Sequence, residues 1–335
     1  MKSPFTGGDA KLEKESRILE YRKDKFEVLY HYYVCVDTRE QFTTTAIDTL
    51  NVNQVHNKYR EKYGIPFIDE IKNIREKYGL SAAKMSEVLG LGANVYRSYE
   101  SGEMPSVSTG RLIRLAEDQK EFRKLLDMSK NVLEPHEYER VKKKIDQAED
   151  DNEHTLQFWK GWLADNNYPN IYNGYRVPSL ERVGNIIRFF AQRNNPFTTA
   201  LNKLMFYTDF GHFKRYGHSI SGIYYKALPK GPVPENYGGI YNYVVNAGFV
   251  KVEEMDFGDF VGDRFIADEQ KVFSVDEGLF SESELEVMQY VSEKFKGKTT
   301  KQIVELSHEE PAWRANIGDY NRISFEYGFE LKNID

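Results

Sequence analysis

Cysteine is almost missing from this chain: Cys35 is the only one in 335 residues. A disulfide framework needs pairs and a four-cysteine zinc cage needs four, so both are excluded. Long apolar runs are missing as well, and nothing approaches the roughly 20 residues of a membrane-spanning helix. An excess of positive charge is also lacking, since 46 Lys and Arg face 52 Asp and Glu for a formal net charge of −6. That excludes a uniformly basic coat for nucleic acid, though not one local reading head. The start, Met1-Lys2-Ser3-Pro4-Phe5-Thr6-Gly7-Gly8, has no apolar stretch, so a secretory signal is not expected and a cytoplasmic location is. There is no internal repeat and no low-complexity segment.

What is present, 40% hydrophobic and 29% charged residues, suits a globular protein of two or three domains. Charge is uneven along it. Residues 1–64 carry a net +1, residues 65–128 balance, and residues 129–335 hold seven more acidic than basic groups. Different parts are therefore expected to meet different partners.

Phe26, Val28, Tyr30, Tyr32, Val34 and Val36 alternate, the period-two signal of a half-buried strand. With Ser16–Tyr21 before it, this predicts a small antiparallel module, followed by a linking helix from Asp48 to Tyr63. Five short helices are expected between Ile68 and Met128, and then a charged, solvated connector helix over Pro135–His154. Farther on, Val183, Ile186, Ile187 and Phe190 mark one face of a helix. Leu201, Leu204 and Met205 form one stripe of the next helix, and Phe206, Phe210 and Phe213 another. A helix apolar on two sides belongs in the centre of its domain. Another helix stops near Gly248, two strands (Phe249–Met255 and Phe260–Ala267) meet around Gly258, and Ser281 with Glu284 and Thr299 with Gln302 are capping boxes. The fold class is multidomain, mainly α with small β. The expected domains are 1–64 (β module and linking helix), 65–128 (DNA-binding helices), 129–175 (linker helix) and 176–335 (helical α+β domain).

Within Ile71–Glu117, Ser81 is a plausible N-cap for Ala82–Leu89, Gly90-Leu91-Gly92 makes a turn, Ala93–Glu100 forms a second short helix, and Gly102 ends it. This frame resembles the Cro/Xre helix-turn-helix, whose second helix enters the major groove of DNA. Asn94, Arg97 and Ser98 should face outward. Asn pairs in bidentate fashion with adenine, and Arg with guanine or phosphate. Ser81 and Lys84 are candidates for phosphate contacts, which position without specifying sequence. Tyr96 and Tyr99 are read as core. A locally neutral domain implies modest nonspecific affinity, so a homodimer summing two half-sites is expected.

Residues 1–128 also resemble the MqsA-type antitoxins, which join a zinc module to this helix-turn-helix; Gly90-Leu91-Gly92-Ala93-Asn94-Val95-Tyr96 and Tyr99-Glu100-Ser101-Gly102 carry the likeness. The resemblance implies that Asn94 reads DNA. The family's arginine one turn later is Ser98 here. Its four zinc cysteines correspond to the stretches Ser3-Pro4-Phe5-Thr6 and Cys35-Val36-Asp37-Thr38, where one sulfur survives. No metal is expected, and the module should be held by its aromatic face.

Residues 176–270 resemble the Panacea domain of SocA-like antitoxins, through Leu201-Asn202-Lys203-Leu204-Met205-Phe206-Tyr207, Gly222-Ile223-Tyr224-Tyr225 and Ala227-Leu228-Pro229-Lys230-Gly231-Pro232-Val233-Pro234. The resemblance implies a domain that neutralises a protein toxin by direct binding. Prolines at 232 and 234 suggest a stiff loop, and Gly231, Pro232, Val233 and Pro234 with Lys203 and Tyr207 are the candidate toxin-binding residues. Asp209, His212 and His218 lie close in sequence, but two histidines and a carboxylate recur by chance, and no His-Glu-x-x-His spacing accompanies them.

The chain is therefore expected to be no enzyme and to need no cofactor. It reads as the antitoxin of a toxin–antitoxin pair, with a nearby-encoded protein toxin and operator DNA as partners and no membrane. The alternatives are a stand-alone transcription regulator or a protease adaptor.

Overall fold

The computed structural model describes residues 1–151, 168–258, 261–267 and 275–334, the last five residues before 152 by backbone alone. The chain divides into two compact units, Met1–Thr155 and Leu156–Asp335.

The first unit opens with a hairpin, β1 (Ala10–Tyr21) antiparallel to β2 (Asp24–Cys35). Arg22 and Lys23 both take positive φ at its turn, the conformation that matches strand twist in two-residue hairpins. A short β3 (Gln41–Phe42) pairs with the end of β2, so the order is β1-β2-β3. Of the alternating face, Phe26, Val28, Tyr32 and Val34 are buried, Tyr30 is half-buried and Val36 is exposed.

Helix α1 (Thr45–Tyr63) is more than a link. Thr44 caps its start, and Val55 and Tyr59 pack on Phe26 and Val28. Its Gln54 and Asn51 amides each bond both the N–H and the C=O of a β2 residue, Leu29 and His31 respectively, at 2.9–3.0 Å. Helix side chains thus stand in for a neighbouring strand on that edge of the sheet.

Five helices follow as expected: α2 (Ile68–Lys77), α3 (Ala82–Val88), α4 (Val95–Glu100), α5 (Val107–Leu115) and α6 (Gln119–Met128). Ile71, Ile74, Met85, Tyr96, Ile113, Phe122 and Leu126 form their core. Helix α7 (Pro135–Asp151) departs from the expected solvated connector, whose residues 152–154 lie outside the described residues. Tyr138, Val141 and Ile145 fall on one face and bury themselves in that core. The hairpin is fastened to the same body, because Arg22 donates to the Met104 and Pro105 carbonyls and Met104 joins the cluster of Phe26 and Tyr59.

In the second unit, α9 (Thr198–Tyr216) is the central helix that its two apolar stripes predict. Leu201, Leu204, Met205, Phe206, Phe210 and Phe213 are all buried. Packed around it are α8 (Leu180–Asn194), α11 (Glu282–Phe295), α12 (Thr300–Glu309) and the 3-10 turn Phe325–Glu330. Both predicted capping boxes are formed. Helix α10 (Tyr237–Asn246) and the short α13 (Pro311–Arg314) complete the α-helices among the described residues. An outer hairpin joins β6 (Lys251–Asp256) to β7 (Val261–Ile266). Phe260, expected to begin that second strand, lies outside the described residues.

Gly231–Pro234 corrects an expectation, for it is a strand, β5, paired with β4 (Tyr225–Leu228) rather than a loop. Glu235 N–H bonds the Tyr224 carbonyl, so by antiparallel alternation Val233 and Gly231 carry the ladder bonds. Pro232 and Pro234 fall between them, where a missing N–H breaks nothing.

Candidate nucleic-acid interface and partner domain

The geometry of the turn between α3 and α4 is set by buried bonds. Ser81 caps α3 by accepting from Lys84 N–H at 3.2 Å, and Gly90 leaves the helix at φ 65°, a conformation suited to glycine. Leu91 N–H returns to the Ser86 carbonyl at 2.8 Å while Leu91 packs on the core. The wholly buried Ser86 hydroxyl accepts from Tyr96 N–H at 3.0 Å, and Tyr96 donates its own hydroxyl to the Ile71 carbonyl at 2.7 Å. These bonds tie α4 to α3 and to α2, so the outer face of α4 is held in one direction. Tyr96 and Tyr99 are core, as read from the sequence.

Asn94 and Arg97 are exposed on that outer face. Asn94 sits at the N-cap of α4, yet its side chain makes no capping bond. Neither its amide nor the Arg97 guanidinium has an intramolecular partner among the described residues. Ser98 is half-buried and turns its hydroxyl back to the Asn94 carbonyl at 3.4 Å. Lys84 is engaged otherwise than expected: its amine lies 2.9 Å from Glu87 and 3.5 Å from Glu137 of α7, so two carboxylates already balance its charge. A sequence reading that treats α7 as a solvated connector has no means of seeing that second partner.

Behind the reading face, Arg114 grips Glu70 with both guanidinium nitrogens at 2.5 and 3.0 Å, joining the last turn of α5 to the first of α2. Glu70 also accepts from Phe67 N–H at 2.8 Å. The pair is 44 residues apart in sequence, and no local signal announces it.

In the second unit the polar residues in the middle of α9, Asn202, Lys203, Thr208, Asp209 and His212, are buried. Asp209 accepts four bonds, from Ile220 N–H (2.8 Å), Ser221 N–H (2.7 Å), the Tyr225 hydroxyl (2.7 Å) and the Ser221 hydroxyl. It is the clasp that folds residues 219–225 onto the helix. His212, one turn on, bonds the His218 carbonyl at 2.7 Å through Nδ1 and meets the Ser283 hydroxyl at 3.3 Å through Nε2. Burial and the neighbouring His218 hold its pKa well below the ordinary value.

His212, His218 and Glu284 place potential ligand atoms within 4.8 Å of one another, the one such group among the described residues. The site is poorly suited to a cation. Arg176 and Arg182 bind Glu284 at 2.6 and 2.8 Å. Although burial works to raise the Glu284 carboxyl, these two charges bring its pKa down to about 2. The sequence marks Glu284 only as the far member of a capping box.

The six candidate toxin-binding residues come together, but in the interior, which corrects their assignment to a surface. Lys203, Tyr207, Gly231, Pro232, Val233 and Pro234 are all buried. Lys203 donates to the Pro232 carbonyl at 3.0 Å, with no carboxylate bonded to it among the described residues, and burial with nearby Lys230 lowers its pKa to about 7. Tyr207 donates to Glu310 at 3.1 Å, whose carboxylate in turn accepts from the backbone of Lys332 and Asn333. Gly231, at φ 99°, leaves room for Lys203 and Ser307, whose atoms a Cβ would strike. The physical reason is apolar stripes on both sides of α9: Lys203 and Tyr207, four residues apart, have only covered faces to occupy.

At the other end of the chain, Ser3, Thr6 and Cys35 meet. Thr6 Oγ1 lies 3.6 Å from Cys35 Sγ and donates to Asp37 at 2.8 Å. Hydrogen bonds from Ser3, Thr38 and Thr6 lower the Cys35 pKa to about 6.

No helix of the described residues is long and apolar enough to cross a membrane. Residues 201–314 match the model of the SocA-like antitoxin Panacea domain, and residues 71–117 match a helix-turn-helix model. No curated protein matches, and no solved structure does. Both matched kinds are regulatory rather than enzymatic, and the chain joins a DNA-binding helix-turn-helix to a SocA-like Panacea antitoxin domain.

Proposed function

We propose that this protein is the antitoxin of a toxin–antitoxin pair, that its Panacea domain binds and silences a protein toxin encoded nearby, and that its helix-turn-helix represses the shared promoter as a homodimer in the cytoplasm. The observation that carries this reading is the joining, in one chain, of a Panacea segment to a helix-turn-helix whose Asn94 and Arg97 side chains stand exposed, with no partner among the described residues. An amide and a guanidinium on a rigidly held helix are the donors and acceptors that adenine and guanine edges require. Ser98, half-buried, and Ser81 would assist through phosphate, with Lys84 contributing only if it leaves its carboxylates. Lys203, Tyr207 and residues 231–234 would shape the neutralising domain from within. The excess of acid over base in residues 129–335 favours a basic toxin.

The hydroxyl-lined Cys35 module is read as a metal-free relative of the MqsA-type zinc module; stoichiometric zinc in the purified protein would overturn that part. The test of the whole is growth. A neighbouring small gene is induced alone, with the full chain, and with a chain carrying Asn94→Ala. Rescue by both chains is expected, with loss of promoter repression only in the variant. A harmless neighbour would remove the antitoxin reading and leave a transcription regulator.

A further inference from the structure

The two long edges of the N-terminal sheet are treated differently. One edge of β2 is covered by β3 and by the Asn51 and Gln54 amides of α1. Those bonds fall on Leu29 and His31, so the odd positions of β2 face α1 and its even positions bond β1. By the register Glu13↔Tyr32 and Arg17↔Val28, it is the odd positions of β1 that bond inward. The even positions, Leu12, Ser16 and Ile18 among them, turn their backbone groups away from the sheet. No further strand lies there among the described residues.

The Met1 carbonyl takes the N–H of Ala10, and beyond it the edge from Leu12 to Glu20 is a template for another strand; proteins usually blunt such edges. Here the side chains do not blunt it uniformly. Ile18 is 69% exposed and Leu12 50%, the two most exposed large aliphatic residues of the strand, on its outer face. Between them the charges alternate in sign, Glu13, Lys14, Glu15 and Arg17.

We propose that β1 is the seam of a homodimer, two copies pairing antiparallel about a two-fold axis at Glu15. In that register each Leu12 lies opposite Ile18 of the second copy, and each Glu13 opposite its Arg17. Neighbouring registers are worse. Centring on Lys14 sets Lys11 against Arg17 and Glu13 against Glu15, and centring on Ser16 sets Leu12 against Glu20. The one like-charge meeting, Glu15 with itself, is softened because each Glu15 already binds its own Arg17 at 2.5 Å and the Tyr32 hydroxyl at 3.2 Å. Mixed charge on the edge therefore rejects most strands and accepts this one.

The consequence reaches DNA, and in this the inference deepens the homodimer of the proposed function. Arg22 and Met104 fasten the hairpin to the helix-turn-helix body. Joining two β1 strands thus joins two reading heads into one two-fold object, the symmetry a two-half-site operator demands.

The test reads oligomeric state in the full chain without DNA, so it stands apart from any failure of operator or toxin binding. By sedimentation equilibrium, Leu12→Lys and Ile18→Glu should each weaken the dimer about tenfold or more. Both residues are exposed, so folding is not at stake. The combined variant places Lys opposite Glu twice and should restore association. Glu15→Cys should cross-link to itself under mild oxidation, since directly opposed residues lie about 4.5–5.5 Å apart at Cα. Glu20→Cys, which this register sets opposite Ala10, should not. A monomeric wild type, single variants that associate normally, or a combined variant that stays weak would each overturn the proposal.

Discussion

Helices α4 and α9 carry the same kinds of polar side chain to opposite ends. Helix α9 runs for 19 residues through the centre of its unit, and its Lys203, Tyr207, Asp209 and His212 are each buried and bonded to protein. Helix α4 has six residues, buries Tyr96 and Tyr99, and with its N-cap Asn94 and its Arg97 offers solvent two side chains that have no partner among the described residues. Chemistry-bearing residue types in one helix therefore hold a fold, and in the other are left over for a partner. Burial and bonding distinguish the two uses; residue type does not.

The comparison can be broken most severely at Lys203. Its folded pKa of about 7 lies below the ordinary 10.5, so the native state favours the neutral amine while the unfolded chain keeps its proton up to about pH 10.5. Stability should rise with pH between those two values, and the penalty should be fully present below about pH 7. Lys203→Met should remove this dependence, a change of about 5 kcal/mol in the difference between variant and wild type across that window. Urea denaturation at stepped pH measures it, and a constant difference would mean that Lys203 is solvated.

Asp209→Ala comes next. It strands Ile220 N–H, Ser221 N–H and the Tyr225 hydroxyl in the interior, and should cost about 3 kcal/mol of the second unit's stability in urea denaturation. Growth rescue should fail with it, through unfolding.

On α4 the expectation inverts. Asn94→Ala should leave thermal stability unchanged while weakening specific operator binding by ~1–3 kcal/mol, read by titration against operator and scrambled duplexes. Equal affinity for both duplexes in the wild type would erase the contrast between the helices.

Ser81→Ala sharpens the line between capping and contact. Loss of the α3 cap should lower stability by about 1 kcal/mol. If the hydroxyl also touches phosphate, operator and nonspecific affinity should fall together.

Much of this was legible in the chain. The alternation from Phe26 to Val34, the five helices from Ile68 to Met128, the capping boxes at Ser281 and Thr299, and the double stripe of α9 each follow from a periodicity or a spacing of a few residues. Asn94 and Arg97 were legible for the same reason, as positions on a short helix whose tyrosines must face inward. The missed features are non-local. Glu137 reaches Lys84 only because α7 folds back on the bundle, and α7 itself looks like a solvated helix until Tyr138, Val141 and Ile145 are given a core to enter. Pro232 and Pro234 discourage a strand assignment, and only pairing with β4 shows that both occupy positions without ladder bonds.

By itself the sequence determined the helix-turn-helix frame, the centrality of α9 and the absence of a cysteine cage, because apolar period, cap chemistry and residue count act over short stretches. Tertiary structure alone decided which polar groups are spent. Asp209 clasps residues 219–225, Glu284 is claimed by Arg176 and Arg182, Lys203 is sealed beneath β5, and the outer edge of β1 is left open while α1 covers the opposite one. Those outcomes depend on partners distant along the chain, whose approach is fixed by packing.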